Sequence, residues 1–217
     1  MRRILAALLL CGCATVGTAQ TARPIERGTT QVGIEPGLFG VEGRGWLPAA
    51  NVSVRHGFGR RWDAGARVGT SGFTVGGKVV LTNPRDPDLA VALAPSAGGF
   101  ALGALGIGMR SVHGQVPLLV GVRIGRGHEL VLGPKVQVWS LSGGRRAARA
   151  SSTVVAAGGS LGLSLKLGPR LSLLPEVAMV QPFRGAGTAR MLFWDVDIAD
   201  GSPIYGATLG ILVGGAR

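Results

Sequence analysis
The chain has 217 residues, of which 46% are hydrophobic and 38 are glycine, and a formal charge of +12. Its mean hydropathy is +0.35. This length suits one domain with a full core, and the glycines are spread as singles and pairs through the chain, which excludes a flexible linker between two domains. Both cysteines, Cys11 and Cys13, lie at the very start, so the body of the protein has no disulfide to draw on and must be held by packing or by a membrane.

The chain opens with Arg2 and Arg3, followed by a short apolar run from Ile4 to Leu10 and then small residues. The run is too brief for a permanent membrane helix, and the layout is that of an export leader. Leu10-Cys11-Gly12-Cys13 resembles the lipobox of bacterial lipoproteins, which implies a leader over 1–12 and a lipid on Cys13. Gly17-Thr18-Ala19 also satisfies the small-x-small cleavage rule and gives a leader over 1–19 instead. Residues 13–28 then form a periplasmic N-terminal segment ahead of the main domain at 29–217. The positive charge of an exported chain meets lipid phosphates and other polyanions, so no nucleic acid partner is expected.

From Thr30 onward the apolar residues alternate. A first strand is expected from Thr30 to Leu38, followed by Val52-x-Val54, Trp62-x-Ala64-x-Ala66-x-Val68, Phe73-x-Val75 and Val79-x-Leu81. Leu89-x-Val91-x-Leu93, Val116 to Ile124, Leu130-x-Leu132 and Val136-x-Val138 continue the pattern, as do Leu161 to Leu167, Leu171-x-Leu173, Val177-x-Met179 and Ala207 to Val213. Period-two alternation puts each apolar set on one face of an extended strand, and the count is about ten strands of the length that suits a tilted membrane strand. No apolar run after the leader reaches the roughly 20 residues of a membrane helix.

The connections alternate in length. His56 to Arg61, Asn83 to Asp88, Gly125 to Gly127 and Gly168 to Arg170 are short and rich in turn formers. Phe39 to Pro48, Gly98 to Gly114, Leu141 to Ser152 and Phe183 to Ser202 are expected as longer loops, with Thr70-Ser71-Gly72 a short exception among them. This asymmetry between the two ends resembles that of small bacterial outer-membrane β-barrel proteins. The resemblance is to the class and implies an all-β fold, a single antiparallel up-and-down β-barrel of about ten strands embedded in the outer membrane, with both termini periplasmic and membrane lipid as a partner. Trp46, Trp62, Phe73, Phe100, Trp139, Phe193, Trp194 and Tyr205 are the residues available for interfacial girdles. Pro117, Pro134 and Pro175 fall inside expected strands and require bulges or strand ends.

With the apolar faces toward lipid, the opposite faces carry Arg55, Asp63, Arg67, Lys78, Arg123, Glu129, Lys135, Lys166 and Glu176, with Gln115 and Gln137 among them. These are expected as a lumen-facing charge cluster in which Arg55 meets Asp63 and Arg123 meets Glu129 across hairpins. A soluble periplasmic barrel or sandwich lipoprotein with an apolar ligand inside would place the same residues outside. Arg145, Arg146 and Arg149 form a basic patch in an outer loop, suited to lipopolysaccharide phosphates.

No catalytic constellation emerges, and neither a cofactor nor a metal is expected. Gly158-Gly159-Ser160-Leu161-Gly162 matches G-x-S-x-G, but the alternation runs through it as a strand, and His56, His113 and His128 all precede the serine. A barrel-type lipid hydrolase using His113 is a further alternative. The expected role is therefore structural, surface-interacting or limited small-solute passage, without enzymatic activity.

Overall fold
The computed structural model describes residues 16–215, apart from 43–44, 71, 84–85, 87, 105–106, 126, 146–147, 186–187, 192–193 and 198–201. Its fourteen strands are β1 Thr30–Val41, β2 Trp46–Gly57, β3 Trp62–Gly69, β4 Gly72–Val80, β5 Leu89–Leu93, β6 Ser96–Ala104, β7 Ile107–Ile124, β8 His128–Leu132, β9 Lys135–Arg145, β10 Ala148–Lys166, β11 Leu171–Gly185, β12 Thr188–Met191, β13 Trp194–Asp197 and β14 Ile204–Gly214. β5 and β6 act as one stave broken at Ala94-Pro95, and β8 and β9 as another broken at Gly133-Pro134, since both members of each pair lie along β7. β12 and β13 form a separate hairpin. The result is a closed antiparallel barrel of ten staves, sealed where β14 pairs with both β1 and β11.

Alternation decides which way the wall faces. In β1 the outward residues Val32, Ile34 and Leu38 are exposed, while Glu35 between them is buried. The same pattern puts Val52, Val54, Val68, Val75, Val116, Val136, Leu161, Val177 and Leu209 on the outside. A soluble barrel has the opposite arrangement, and exposing so many large apolar side chains to water would leave an aggregating surface. The soluble-lipoprotein alternative is therefore overturned. The apolar exterior faces lipid, with one aromatic group at each end: Phe58 stacks on Trp62 at 4.9 Å near the periplasmic turns, and Trp46, Phe73 and Phe183 are exposed at the other end. Trp139 is not in a girdle. Its odd position in β9 carries it inward, where it packs with Val154, Ala156, Ala178 and Val180.

Three of the expected long loops are largely strand. β6 and β7 pair down to Ala104↔Ile107, and β9 and β10 down to Arg145↔Ala148. β1 and β2 leave only residues 42–45 between them. The small, glycine-rich residues of these segments blur the apolar alternation, but their backbones still complete the ladder with tall neighbours, so the walls continue beyond the lipid-facing band. Phe183 to Ser202 includes the end of β11 and the β12–β13 hairpin.

The prolines fit the ladder at its interruptions. Pro134 lies in the break between β8 and β9. Pro117 stays inside β7, at the point where that strand exchanges β6 for β5 and β9 for β8, and its carbonyl accepts the Ala94 amide at 3.0 Å. Pro175 sits in β11 where the pairing with β10 skips between Gly162↔Glu176 and Leu165↔Leu173. At none of these sites does the wall need the missing N–H.

The main correction concerns the N-terminal segment. Residues 13–28 were expected in the periplasm, but Val16, Thr18, Ala19, Ala22 and Ile25 are buried inside the barrel. The segment leaves the lumen at the periplasmic rim, where the Glu26 amide donates to Gly215 at 2.9 Å and the Gly28 amide to Gly57 at 2.7 Å. Gly28 takes φ 77°, a left-handed conformation that lets the chain reverse tightly into β1. We call residues 16–28 the N-terminal strap. Cys13 lies outside the described residues. A leader ending at Ala19 would leave a strap beginning at Gln20, whereas cleavage before Cys13 would retain all of it.

Candidate functional site
The site is the lower half of the lumen, where inward positions of six staves set charges around the strap. Nearest the periplasm are Arg55 of β2, Asp63 of β3, Lys78 of β4 and Glu129 of β8. Asp63 is 0% exposed. Its Oδ1 accepts from Arg55 Nε at 2.9 Å, its Oδ2 lies 3.2 Å from Lys78 Nζ, and that same oxygen accepts the Ile25 amide at 3.1 Å. Arg55 and Asp63 are diagonal rather than directly opposite, since the register pairs Arg55 with Gly65. Lys78 completes the tier by donating to the carbonyls of Thr21 at 3.0 Å and Arg23 at 2.7 Å.

Glu129 does not pair with Arg123. The two are Cα partners across the β7–β8 hairpin, but Arg123 is exposed at the rim. The Glu129 carboxylate turns inward to accept the Ala22 amide at 3.1 Å, with Arg23 at 4.0 Å. Gly121 makes this possible: a Cβ there would collide with Glu129 Oε1 and lie 2.8 Å from Ala22 Cβ. Lys166 is half-buried near the periplasmic end of β10, where its backbone amide donates to His128 Nδ1 at 3.1 Å.

A second tier lies higher. Glu176 of β11 accepts the Thr18 amide at 2.9 Å and hydroxyl at 3.0 Å, together with the Ala19 amide. Ala19 has φ 45°, and this turn of the backbone aims two successive N–H groups at one carboxylate, the geometry of an anion-binding nest. Lys135 of β9 donates to the Val16 carbonyl, and Arg67 of β3 to the carbonyls of Gly17 and Thr18. Arg67 is held by Glu35 of β1 at 2.8 Å, and Glu35 in turn accepts the Ser53 hydroxyl at 2.6 Å. The sequence reading missed Glu35 and Arg23. Glu35 was detectable, because it sits between outward Ile34 and Pro36 in a strand already expected; Arg23 was assigned to the periplasm with the rest of its segment.

The charges therefore hold the strap chiefly by its main chain, through the amides of Thr18, Ala19, Ala22 and Ile25 and the carbonyls of Val16, Gly17, Thr18, Thr21 and Arg23. A chain segment buried without sheet partners must satisfy its polar groups this way. Beside Arg67, its partner across the β3–β4 ladder, Thr74 Oγ1 lies 3.1 Å from His113 Nε2. Beyond it, the buried side-chain atoms Ser111 Oγ, Gln115 Oε1 and both amide atoms of Gln137 have no hydrogen-bond partner among the described residues. The space beside Gln20, Glu35, Arg67, Thr74 and Gln115 amounts to about 30 Å³, roughly enough for one water.

Two chemical readings can be placed. Ser160 continues β10 and exchanges hydrogen bonds with Gly133, donating at 3.1 Å and accepting at 2.9 Å. It has no strand-to-helix elbow of the kind a nucleophilic serine requires. His113 is buried in the lumen, away from the lipid face on which a barrel lipid hydrolase would meet its substrate. No group of three or more His, Cys, Asp or Glu suited to a metal ion occurs among the described residues. Arg146 and Phe193 lie outside the described residues; Arg145 and Arg149 are placed by backbone only, on either side of the β9–β10 tip.

No protein-family model matches this chain, and neither does any curated protein sequence. Solved structures are similar in fold. Ail, the attachment invasion locus protein of Yersinia pestis, aligns at 12% identity and TM-score 0.42, covering 87% of this chain and 99% of its own. The translocator domain of the autotransporter NalP from Neisseria meningitidis aligns at 10% identity and TM-score 0.47, with coverage of 85% and 86%. The outer membrane protease OmpT of Escherichia coli aligns at 10% identity and TM-score 0.43, with coverage of 91% and 98%. The chain is an outer-membrane β-barrel. What decides this is its own geometry, a closed antiparallel wall with an apolar exterior and a charged lumen.

Proposed function
We propose that the protein is a closed outer-membrane barrel with a structural and surface-interaction role, and that it is neither a solute channel nor an enzyme. The observation that carries this reading is the strap, whose main chain is held by Asp63, Lys78 and Glu129 across the periplasmic half of the lumen. A ten-stave barrel is only slightly wider than the eight-stranded kind that side chains can fill, and a strap across it leaves no continuous aqueous path. Function then rests on the outer end, where the β6–β7 and β9–β10 hairpins extend the wall and the sequence across the junction of β9 and β10 carries Arg145, Arg146 and Arg149. Guanidinium groups there suit the phosphates of lipopolysaccharide.

The test is reconstitution into planar bilayers with lipopolysaccharide in the outer leaflet. The reading expects no porin-like current from the native chain, and weaker lipopolysaccharide binding when Arg145, Arg146 and Arg149 are all changed to Glu. A steady large conductance from the native protein would remove the closed-lumen reading. Unchanged lipopolysaccharide binding by the triple variant would remove the phosphate contact.

A further inference from the structure
The lumen charges read the strap's backbone and almost none of its side chains. Apart from the Thr18 hydroxyl on Glu176 and Arg23 near the rim, the hydrogen bonds and ion pairs that join the strap to lumen charges use amides and carbonyls. Two of the strap's buried side chains meet glycines of the wall: Ala22 lies against Gly121, and Val16 against Gly206, where an added Cβ would stand 3.0 Å from Val16 Cβ. The strap is joined to the wall through an exposed turn at Glu26, Arg27 and Gly28, so its connection to β1 lies outside the site it fills.

We propose that the lumen is a binding site for the main chain of a peptide with small side chains where it meets the wall's glycines, otherwise tolerant of sequence, which the protein's own N-terminus occupies in cis and which a second peptide can occupy once the strap is released. This deepens the closed-lumen reading and rests on it. Each carbonyl contact recurs for any residue and each amide contact for any residue except proline, which lacks only the donor. Glu129 and Asp63 take amides three residues apart, at Ala22 and Ile25, while Lys78 takes the carbonyls of Thr21 and Arg23 between and beside them. These contacts carry no requirement for a particular side chain. Size is the selective element, because Gly121 leaves room for a methyl group facing it and little more.

The experiment uses the full chain with a specific protease site inserted between Arg27 and Gly28, folded into detergent or bilayer and then cut. A fluorescent peptide of residues 16–27 should replace the cut strap saturably, and uncut protein should take up none. A permuted peptide that keeps small residues at the positions of Ala19 and Ala22 should bind within about threefold of the native sequence. The same peptide N-methylated at the positions of Ala22 and Ile25, which lack donors for Glu129 and Asp63, should bind at least about tenfold more weakly, the scale expected for losing hydrogen bonds to charged groups.

Failure of the permuted peptide, or equal binding by the N-methylated one, would overturn the proposal. So would equal uptake by uncut protein. Should cutting unfold the barrel, the uncut full chain carrying Ala22→Pro, which removes the amide that Glu129 accepts, serves instead: it should take up peptide where the native chain does not, and no uptake would overturn the proposal. Conductance of the native uncut chain is measured separately. A closed barrel that refuses peptide refutes this inference alone, whereas a conducting one refutes the closed-lumen reading beneath it.

Discussion
Asp63 is the residue on which the lower lumen turns. It is 0% exposed, Lys78 beside it is 2% exposed, and Arg55 and the Ile25 amide supply its other partners. Removing one member of a buried ion pair leaves an uncompensated charge and costs roughly 3–5 kcal/mol, more than the pair itself contributes. Asp63→Asn is therefore expected to destabilise the barrel on that scale, since it strands two cations. Lys78→Met should cost less, because Asp63 keeps Arg55. Combining the two should be clearly less than additive, with a coupling of about 0.5–3 kcal/mol. Guanidinium unfolding in detergent micelles measures the cycle, and strictly additive losses would show that the three charges do not act together.

At the scale of single elements, the turn before β5 shows how a short connection holds its strand. The Asp86 carboxylate accepts the amides of Asp88 at 2.9 Å and Leu89 at 3.1 Å, and the Arg23 guanidinium donates to the Asp86 carbonyl at 2.8 Å, which ties this turn to the strap. The amides of Leu89 and Asp88 hold the Asp86 carboxyl below its ordinary value. A carboxyl lowered in the folded state contributes stability that is fully present above its unfolded pKa and is lost as pH falls through the folded one. Exchange protection of the Leu89 amide should therefore fall at pH values below the usual carboxylate range, and Asp86→Asn should abolish that dependence. A wild-type profile identical to that of Asp86→Asn would refute the assignment.

The elements differ in how far the sequence disclosed them. β1, β3, β4, the Leu161 to Leu165 half of β10 and β14 set apolar residues at every second position on the lipid side, and a period of two is a direct physical consequence of the pleat. The upper parts of β6, β7 and β9 are built from Gly, Ala, Ser and single apolar residues, so no face stands out, and their strand state comes from pairing with tall neighbours. Charges on the inner face were legible for the same reason as the strands. Their partners were not: Glu129, Glu176, Lys78 and Lys135 turn to a segment far away in sequence, and Glu176 lies 158 positions from Thr18. Nothing local in Thr18 to Ile25 signals burial, because a peptide held by its backbone needs no distinctive side chains.

For the molecule as a whole, the formal charge of +12 has two destinations. One set of cations is spent inside, where Arg55, Arg67, Lys78 and Lys135 answer Asp63, Glu35 and the strap's carbonyls. The other lies at the rims and the outer tips, among them Arg123 and Arg110. The lipid-facing band between them carries valine, leucine and isoleucine, consistent with the roughly 2–4 kcal/mol cost of an Arg or Lys at the bilayer midplane. The barrel is thus charged along its axis and apolar around its girth, and its lower lumen is filled by its own chain.

The central claim, that the N-terminal strap lies inside the wall, is tested most directly by water-soluble maleimide labelling of single cysteines introduced at Ala22, which is 0% exposed, and at Arg27, which is exposed at the rim. Each site is read separately by mass spectrometry of the folded and the heat-denatured protein. The account predicts rapid labelling at position 27 in both states, and labelling at position 22 only after denaturation. Labelling of position 22 in the folded protein as fast as position 27 would place the segment in the periplasm and contradict the account.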